Sequence, residues 1–446
     1  MGKNDNLQDF LTDVADAIRA KKGTTDKINP QNFSSEIASI QSGVEPKEMK
    51  DVNFYDYDGT ILYSYTWDEA LQLTEMPPLP DRTNEGLTCE GWNWTLEEMQ
   101  SNEGMCDVGA IYSPTNGRTK LYLTVEEDDE RNRTFYLHFG AWGGNFEGVI
   151  YWGDGEELAI SHNANTYHTY SHTYNAGNYI LELETIKGHL SLGQNTAISV
   201  AGKNNDAYQT IGHTFVNKVV LNKGCIMYQG AVHQLPNLEY LIRPDDNNGV
   251  WQLVSNCKVK HINLPRTTTR AQIGTSSLQT IAPSGELCTY NSTCMLLHHL
   301  KRFVVRVGSS GVSQFFHTDY NLQKVHGLKM NQLKQYAFYS NLCMKEAPPF
   351  EDSISNIGQS CFASCINLKN LIIPSAVTSI AQGAFSYCYS MRYYDFTKLS
   401  SVPTLDNANA FTGIPEDCEI RVPMALVDEW KAATNWSTYA DYIVGY

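Results

Sequence analysis

Near the C-terminus the apolar positions recur in a fixed order. In IGQSCFASCINLKNLIIP and IAQGAFSYCYSMRYYDF, Ile357 aligns with Ile380, Phe362 with Phe385, Cys365 with Cys388, Leu368 with Met391 and Ile373 with Phe396, each pair 23 residues apart. Leu333, Phe338 and Met344 stand 24 residues before Ile357, Phe362 and Leu368. A fixed period of roughly 20–29 residues with recurring apolar positions indicates a solenoid, in which each turn buries its apolar side against its neighbours. Within one turn Leu371 and Ile373 alternate as a short strand and Pro374 closes it. PNLEYLI (236–242), LLHHLKRFVV (296–305) and NLQKVHGL (321–328) carry the same rhythm imperfectly. The solenoid is therefore expected over residues 210–446, with IRVPMALVDEWKAATNWSTYADYIVGY supplying a last strand and a short helix as its cap.

Upstream the pattern changes. FYLHFG (135–140) and GVIYWG (148–153) read as strands that lead into an Asp154-Gly155 turn, and Tyr179, Leu181 and Leu183 alternate with polar residues in NYILELETI. A β-sandwich is expected over 118–200. Residues 49–117 read as a small α+β module: VNFYDYDGTILYSY folds as a hairpin turning at Asp58-Gly59, and Thr95 with Glu98 forms a capping box. Trp92 and Trp94 read as core of this module, against a sugar platform.

The first 43 residues predict two short amphipathic helices. Leu7, Leu11, Val14 and Ile18 form one stripe with Gly23 as the stop; Asn29 caps the second, whose stripe is Phe33, Ile37 and Ile40. Two helices this short cannot cover their own apolar faces, so residues 1–43 are expected to be an attachment segment that docks on a partner. The competing reading folds them back on the 49–117 module.

Composition narrows the class. The 446 residues allow several domains, and the fold class expected is multidomain and β-rich. A formal charge of -16 disfavours nucleic acid as partner. No apolar run is long enough to insert in a membrane. The opening residues lack a secretory pattern, which points to synthesis in a reducing compartment. Eleven cysteines include no C-x-x-C pair, and Cys365 and Cys388 share one interior position, so stacked buried thiols are expected in preference to zinc or disulfides. No catalytic group, metal or cofactor is expected. The 26 tyrosines and 8 tryptophans suit a surface that recognises a glycan or a protein.

Several passages carry resemblances. IGQSCFASCINLKNLIIPSAVTSIAQGAFSYC resembles the bacterial surface-protein type of leucine-rich repeat, a class of mostly binding proteins in which Phe362, Cys365, Phe385 and Cys388 are structural. Trp152-Gly153-Asp154-Gly155, followed by His172-Thr173-Tyr174, Gly177 and Tyr179, resembles the polycystic-kidney-disease type of Ig-like β-sandwich. That resemblance makes Trp152, Asp154, His172 and Tyr174 structural and disfavours a metal reading of His162, His168 and His172. LTDVADAIRAKKGTTDKINPQNFSSEIASI resembles an N-terminal segment of virion proteins of phages of gut bacteria, and DVNFYDYDGTILYSYTWDEALQLTEMPPLP the module that follows it there. Asp56-Tyr57-Asp58-Gly59-Thr60 also resembles the D-x-D-G-T of haloacid-dehalogenase phosphatases, with Asp56 as nucleophile and Asp58 as proton donor. The β-branched and aromatic residues that follow favour the hairpin.

Together these imply a non-enzymatic phage structural protein, a tail or head fibre. It would attach to other virion proteins through the N-terminus, contact a host-surface glycan or protein through the C-terminal half, and assemble as a homo-oligomer, a trimer being favoured. The alternatives are a bacterial leucine-rich-repeat interaction protein and, more distantly, the phosphatase.

Overall fold

In the computed structural model the described residues are Thr12, Ala15, 48–102, 104–127, 133–141, 144–164, 166–192, 213–227, 235–244, 254–255, 257–264, 273–274, 277–282, 300, 302–310, 321–330 and 332–446. The stripe residues Leu7, Leu11, Val14, Ile18, Phe33, Ile37 and Ile40 lie outside them.

Residues 48–114 form a small sheet carrying two one-turn helices. Its order is β2 (Ile61–Tyr65), β1 (Val52–Tyr55), β4 (Cys106–Pro114), β3 (Leu87–Trp92), with β1 parallel to β4 and antiparallel to β2. The β1–β2 connection is the tight turn expected from Asp58-Gly59: the Asp56 amide donates to the Thr60 carbonyl at 2.9 Å and Gly59 has φ +89. Helices α1 (Trp67–Leu71) and α2 (Leu96–Gln100) each start with a capping box, Thr66 with Glu69 and Thr95 with Glu98. Phe54, Trp92, Trp94 and Met99 fill the core between sheet and helices. Both tryptophans are buried, as the core reading expects.

The next segment builds two sheets over one core. One contains β5 (Thr119–Val125), β7 (Phe146–Tyr151), β8 (Glu157–His162) and β10 (Gly177–Lys187). The other contains β6 (Thr134–Ala141), β9 (Tyr167–Thr173) and β11 (Leu190–Leu192). Alternation places Leu121, Leu123, Leu181 and Leu183 of the first sheet against Phe135, Leu137 and Phe139 of the second.

Both sheets then run on into the solenoid. Strand β12 (Val216–Val220) pairs antiparallel with β5 and parallel with β14 (Tyr240–Ile242), while β13 (Ile226–Met227) pairs parallel with β11. The first turn of the solenoid is therefore hydrogen-bonded at both of its faces and presents no open edge there. One hydrophobic core extends from Leu121 to Ile443.

Later turns repeat the pattern. Parallel strands Asn370–Ile372, Tyr393–Asp395, Glu419–Val422 and Ile443–Gly445 form one wall, and Asn356–Ile357, Ser379–Ile380 and Thr404–Leu405 another. Phe338, Phe362, Phe385 and Phe411 stack in file at 5.1, 6.0 and 5.0 Å. Helix α3 (Val427–Ala432) and the turn Trp436–Tyr442 close the far end, with Trp436 5.6 Å from Phe411 and Trp430 5.0 Å from Phe396. Among the described residues no helix is long and apolar enough to cross a membrane.

Candidate ligand-binding face

In all but the last turn the solenoid strand has the form apolar-x-x-apolar-x, with inward and outward residues alternating. Leu241, Ile262, Ile281, Phe303, Val325, Leu371, Tyr394 and Ile420 point inward and are buried. Their neighbours form an outward column along one wall, and that wall has two halves.

In the first half the 48–114 module covers the column. Ile242 is 3 % exposed and belongs to the module's core with Phe54 and Trp92. His261 stacks on Tyr55 at 5.0 Å, its Nδ1 lies 2.6 Å from Thr280 Oγ1 and its Nε2 2.6 Å from Asn263 Oδ1. The Asn263 amide then donates to the carbonyl of Ala110 at 2.9 Å. From the module side, Asn93 Nδ2 donates to Leu264 O and Ala282 O at 2.8 and 3.0 Å. Arg302 donates to the Asp107 carboxylate at 2.7 and 2.5 Å and to the carbonyls of Lys50 and Asp51. Gly59 is needed for this approach, since a Cβ there would stand 2.8 Å from His261 Cβ.

In the second half the column is open. Ile372 is 52 % and Val444 39 % exposed. Arg421 lies between two tyrosine rings, 3.8 Å from the Tyr393 centroid and 4.7 Å from that of Tyr446, and both its Nε and Nη2 are 2.8 Å from Glu419 Oε2. Tyr446 donates to the same carboxylate at 3.0 Å, and these hydrogen bonds hold Glu419 below the usual carboxylate range. Beside Ile372 is a pocket of 380 Å³ with Pro348, Pro349, Phe350, Leu371, Ile373 and Lys398 in its wall. It sits where Asn370–Ile372 begins its sheet, next to prolines that have no N–H for a ladder.

The residues singled out in the sequence fall elsewhere. Trp152, Asp154, His172 and Tyr174 come together in the two-sheet region. His172 stacks on Trp152 at 4.8 Å and its Nε2 meets Asp154 Oδ2 at 2.6 Å; Tyr174 donates to Trp152 O at 2.9 Å. Burial opposes ionisation of Asp154, but bonds from His172 and the Glu156 amide outweigh it and lower its pKa. Phe362, Phe385, Cys365 and Cys388 are all in the solenoid core.

Asp56 is fully buried and its oxygens are engaged. Oδ2 accepts from Arg82 Nε at 2.9 Å, while Oδ1 accepts from Tyr112 Oη at 2.6 Å and the Tyr57 amide at 2.8 Å. Asp58 accepts from the Thr60 amide inside the turn. A phosphorus nucleophile needs a free oxygen facing an open site, and this buried carboxylate is instead the acceptor for a half-buried Arg82.

Sequence reasoning missed Tyr393, Arg421 and Tyr446 as a unit. The last strand expected at IRVP holds Arg421, but only the 26-residue step from Tyr393 to Glu419 ties it to the repeat.

Residues 311–415 match the BspA type leucine-rich-repeat region in six copies, so the C-terminal region carries BspA-type repeats in a β-solenoid. Among solved structures, the chain is similar to a leucine-rich repeat protein from Bacteroides ovatus at 19% identity and TM-score 0.37, covering 52% of this chain and 66% of that one. It is also similar to a leucine-rich cell surface protein from Faecalibacterium prausnitzii at 11% identity and TM-score 0.25, covering 57% and 93%. A third is the pneumococcal vaccine antigen PcpA, at 11% and 0.26, covering 59% and 84%. No curated protein matches by sequence.

Proposed function

We propose that the chain is a non-enzymatic leucine-rich-repeat interaction protein that binds its ligand on the open half of the solenoid wall. One observation carries this reading: the outward column that is buried under the module at Ile242, His261 and Asn263 is exposed at Ile372 and Val444 and half-buried at Tyr393 and Arg421, with no part of the module over it among the described residues. Rigid aromatic and guanidinium groups presented on regular strands are what recognition surfaces are built from. The engagement of Asp56 by Arg82 and Tyr112 supports a structural role for the D-x-D-G-T segment. The test is retention of the full chain on immobilised bacterial cells, mucin and extracellular-matrix proteins. Wild type should be retained on at least one of them, and the Tyr393→Ala/Arg421→Ala double variant should lose about tenfold or more in affinity. Equal retention of both forms would remove the reading.

A second reading makes the same surface the tip of a phage fibre, attached to other virion proteins by residues 1–43 and assembled as a homo-oligomer. The resemblance of LTDVADAIRAKKG and the segment after it to virion proteins supports it, as does that of Trp152 to Tyr179 to an Ig-like spacer domain. Deleting residues 1–43 should then leave a folded chain that no longer enters particles. Portal, capsid and tail genes beside its gene would favour this reading over the first.

A further inference from the structure

Resting on the open wall as the binding surface, the geometry points to one class of ligand: an extended polypeptide segment laid across the last turns. It would seat an apolar side chain beside Ile372 and present a carboxylate or main-chain carbonyl to Arg421. Continuity with the interface already formed by this wall is the first argument. What the same column binds upstream is polypeptide, through two kinds of contact. Asn263 and Arg302 donate to the carbonyls of Ala110, Lys50 and Asp51 and to the Asp107 carboxylate. Ile242 inserts an apolar side chain into the module's core. The open half presents both kinds again, an apolar site at Ile372 and a guanidinium at Arg421, whose Nε and Nη2 are held by Glu419 so that Nη1 is the donor left for a ligand.

Spacing gives the second argument. Ile372, Asp395 and Arg421 are in register on adjacent parallel strands. Two strand spacings are about 10 Å, the reach of about three residues of extended chain. Asp395, held by the Thr397 amide and hydroxyl at 2.9 and 2.6 Å, stands between the two as an acceptor for a main-chain N–H. An extended polypeptide alternates N–H and C=O groups and so answers both Asp395 and Arg421. The pocket joins an apolar wall of Pro348, Pro349, Phe350 and Ile372 to polar groups at Glu346, Asp352 and Lys398, which suits an apolar side chain flanked by main-chain amides. Arg421 is already held between Tyr393 and Tyr446, so little side-chain entropy is lost when a ligand arrives.

The experiment selects a displayed library of random linear peptides on the full chain, and in parallel screens the chain against arrayed glycans. Enriched peptides should carry an acidic residue two or four positions from an aliphatic or aromatic one, since only alternate residues of an extended chain face the wall and the strands set a separation of about 10 Å. Their affinity should fall about tenfold or more in Arg421→Ala and in Ile372→Asp. It should be unchanged in Tyr389→Ala, an exposed turn residue off the strand column. Melting curves check the fold of each variant; should Arg421→Ala melt early, Ile372→Asp at its exposed site carries the test alone. Failure to enrich peptides, or retention of glycans that these variants abolish, overturns the polypeptide inference while leaving the open wall as the binding surface. Enriched peptides indifferent to both variants overturn both.

Discussion

The Cys365 thiol donates to the main-chain carbonyl of Phe338, one turn back, at 3.1 Å, and Cys388 repeats the contact on Phe362 at 3.2 Å. A small, weakly donating side chain fits this position because it fills the interior and still satisfies a buried carbonyl. The nine described cysteines are free thiols. Burial pushes Cys388 up to about 12 and Cys365 well above the ordinary value. At neutral pH both are protonated, and the thiolate that would react is scarce. Cys365 and Cys388 should therefore resist a maleimide reagent in the native chain and label fully in denaturant. Native labelling of either, read by peptide mass mapping, would contradict the packing described.

Phe385 is 1 % exposed and touches Phe362, Tyr394 and Phe411. Phe385→Ala leaves a cavity in the middle of the file and should cost about 3–5 kcal/mol of unfolding free energy. Denaturant titration measures it; a loss below about 1 kcal/mol would mean that the ring is not part of a closed core.

His261 links the module to the solenoid and gives the interface a pH dependence. Burial lowers its pKa from 6.5 to about 4, against the opposing pull of Asn263, Asp58, Asp107 and Asp56. The unfolded chain takes up the proton first as pH falls through about 6.5, so stability declines from there down to about 4. The decline attributable to this group is on the order of 3 kcal/mol. His261→Gln should flatten the melting-temperature profile over that window. Parallel profiles for the two proteins would show that His261 is not held neutral at the interface.

Asp56 anchors Arg82 and Tyr112, and its carboxylate is 0 % exposed beside a guanidinium that is 31 % exposed. Asp56→Ala removes the acceptor of both, at a cost of about 2–3 kcal/mol once the partial exposure of Arg82 is allowed for. Neither wild type nor Asp56→Asn is expected to hydrolyse phosphate esters. Turnover by wild type that vanishes in Asp56→Asn would restore the phosphatase reading.

Much of the solenoid was legible because its strongest turns keep a constant spacing and the same residue types. Phe362 and Phe385 could be aligned by eye. Leu405 and Phe411 escaped because they follow Ile380 and Phe385 by 25 and 26 residues, a drift that breaks simple register, although the strand at Ile420 is expected as the last one. The strands His261–Asn263 and Thr280–Ala282 escaped because three residues with one inward side chain make too short a pattern. The tight turns that space the coils have positive φ at non-glycine residues Tyr336, Ser340, Ser360, Ser364 and Tyr387, so the usual turn marker appears only at Gly383 and Gly413.

The candidate face was less legible still. Nothing in the sequence marks His261, Asn263 or Arg302; only the fold shows that they grip the module at Tyr55, Ala110 and Asp107. Tyr393, Arg421 and Tyr446 lie up to 53 residues apart and meet only because successive parallel strands bring them to neighbouring positions.

The most direct measurement is a binding titration of the full chain against a retained surface or matrix protein, comparing wild type, Tyr393→Ala/Arg421→Ala and Tyr389→Ala. The open wall as the binding surface predicts a loss of about tenfold or more for the double variant and none for Tyr389→Ala. Equal affinity for wild type and the double variant, with both folded, would contradict it.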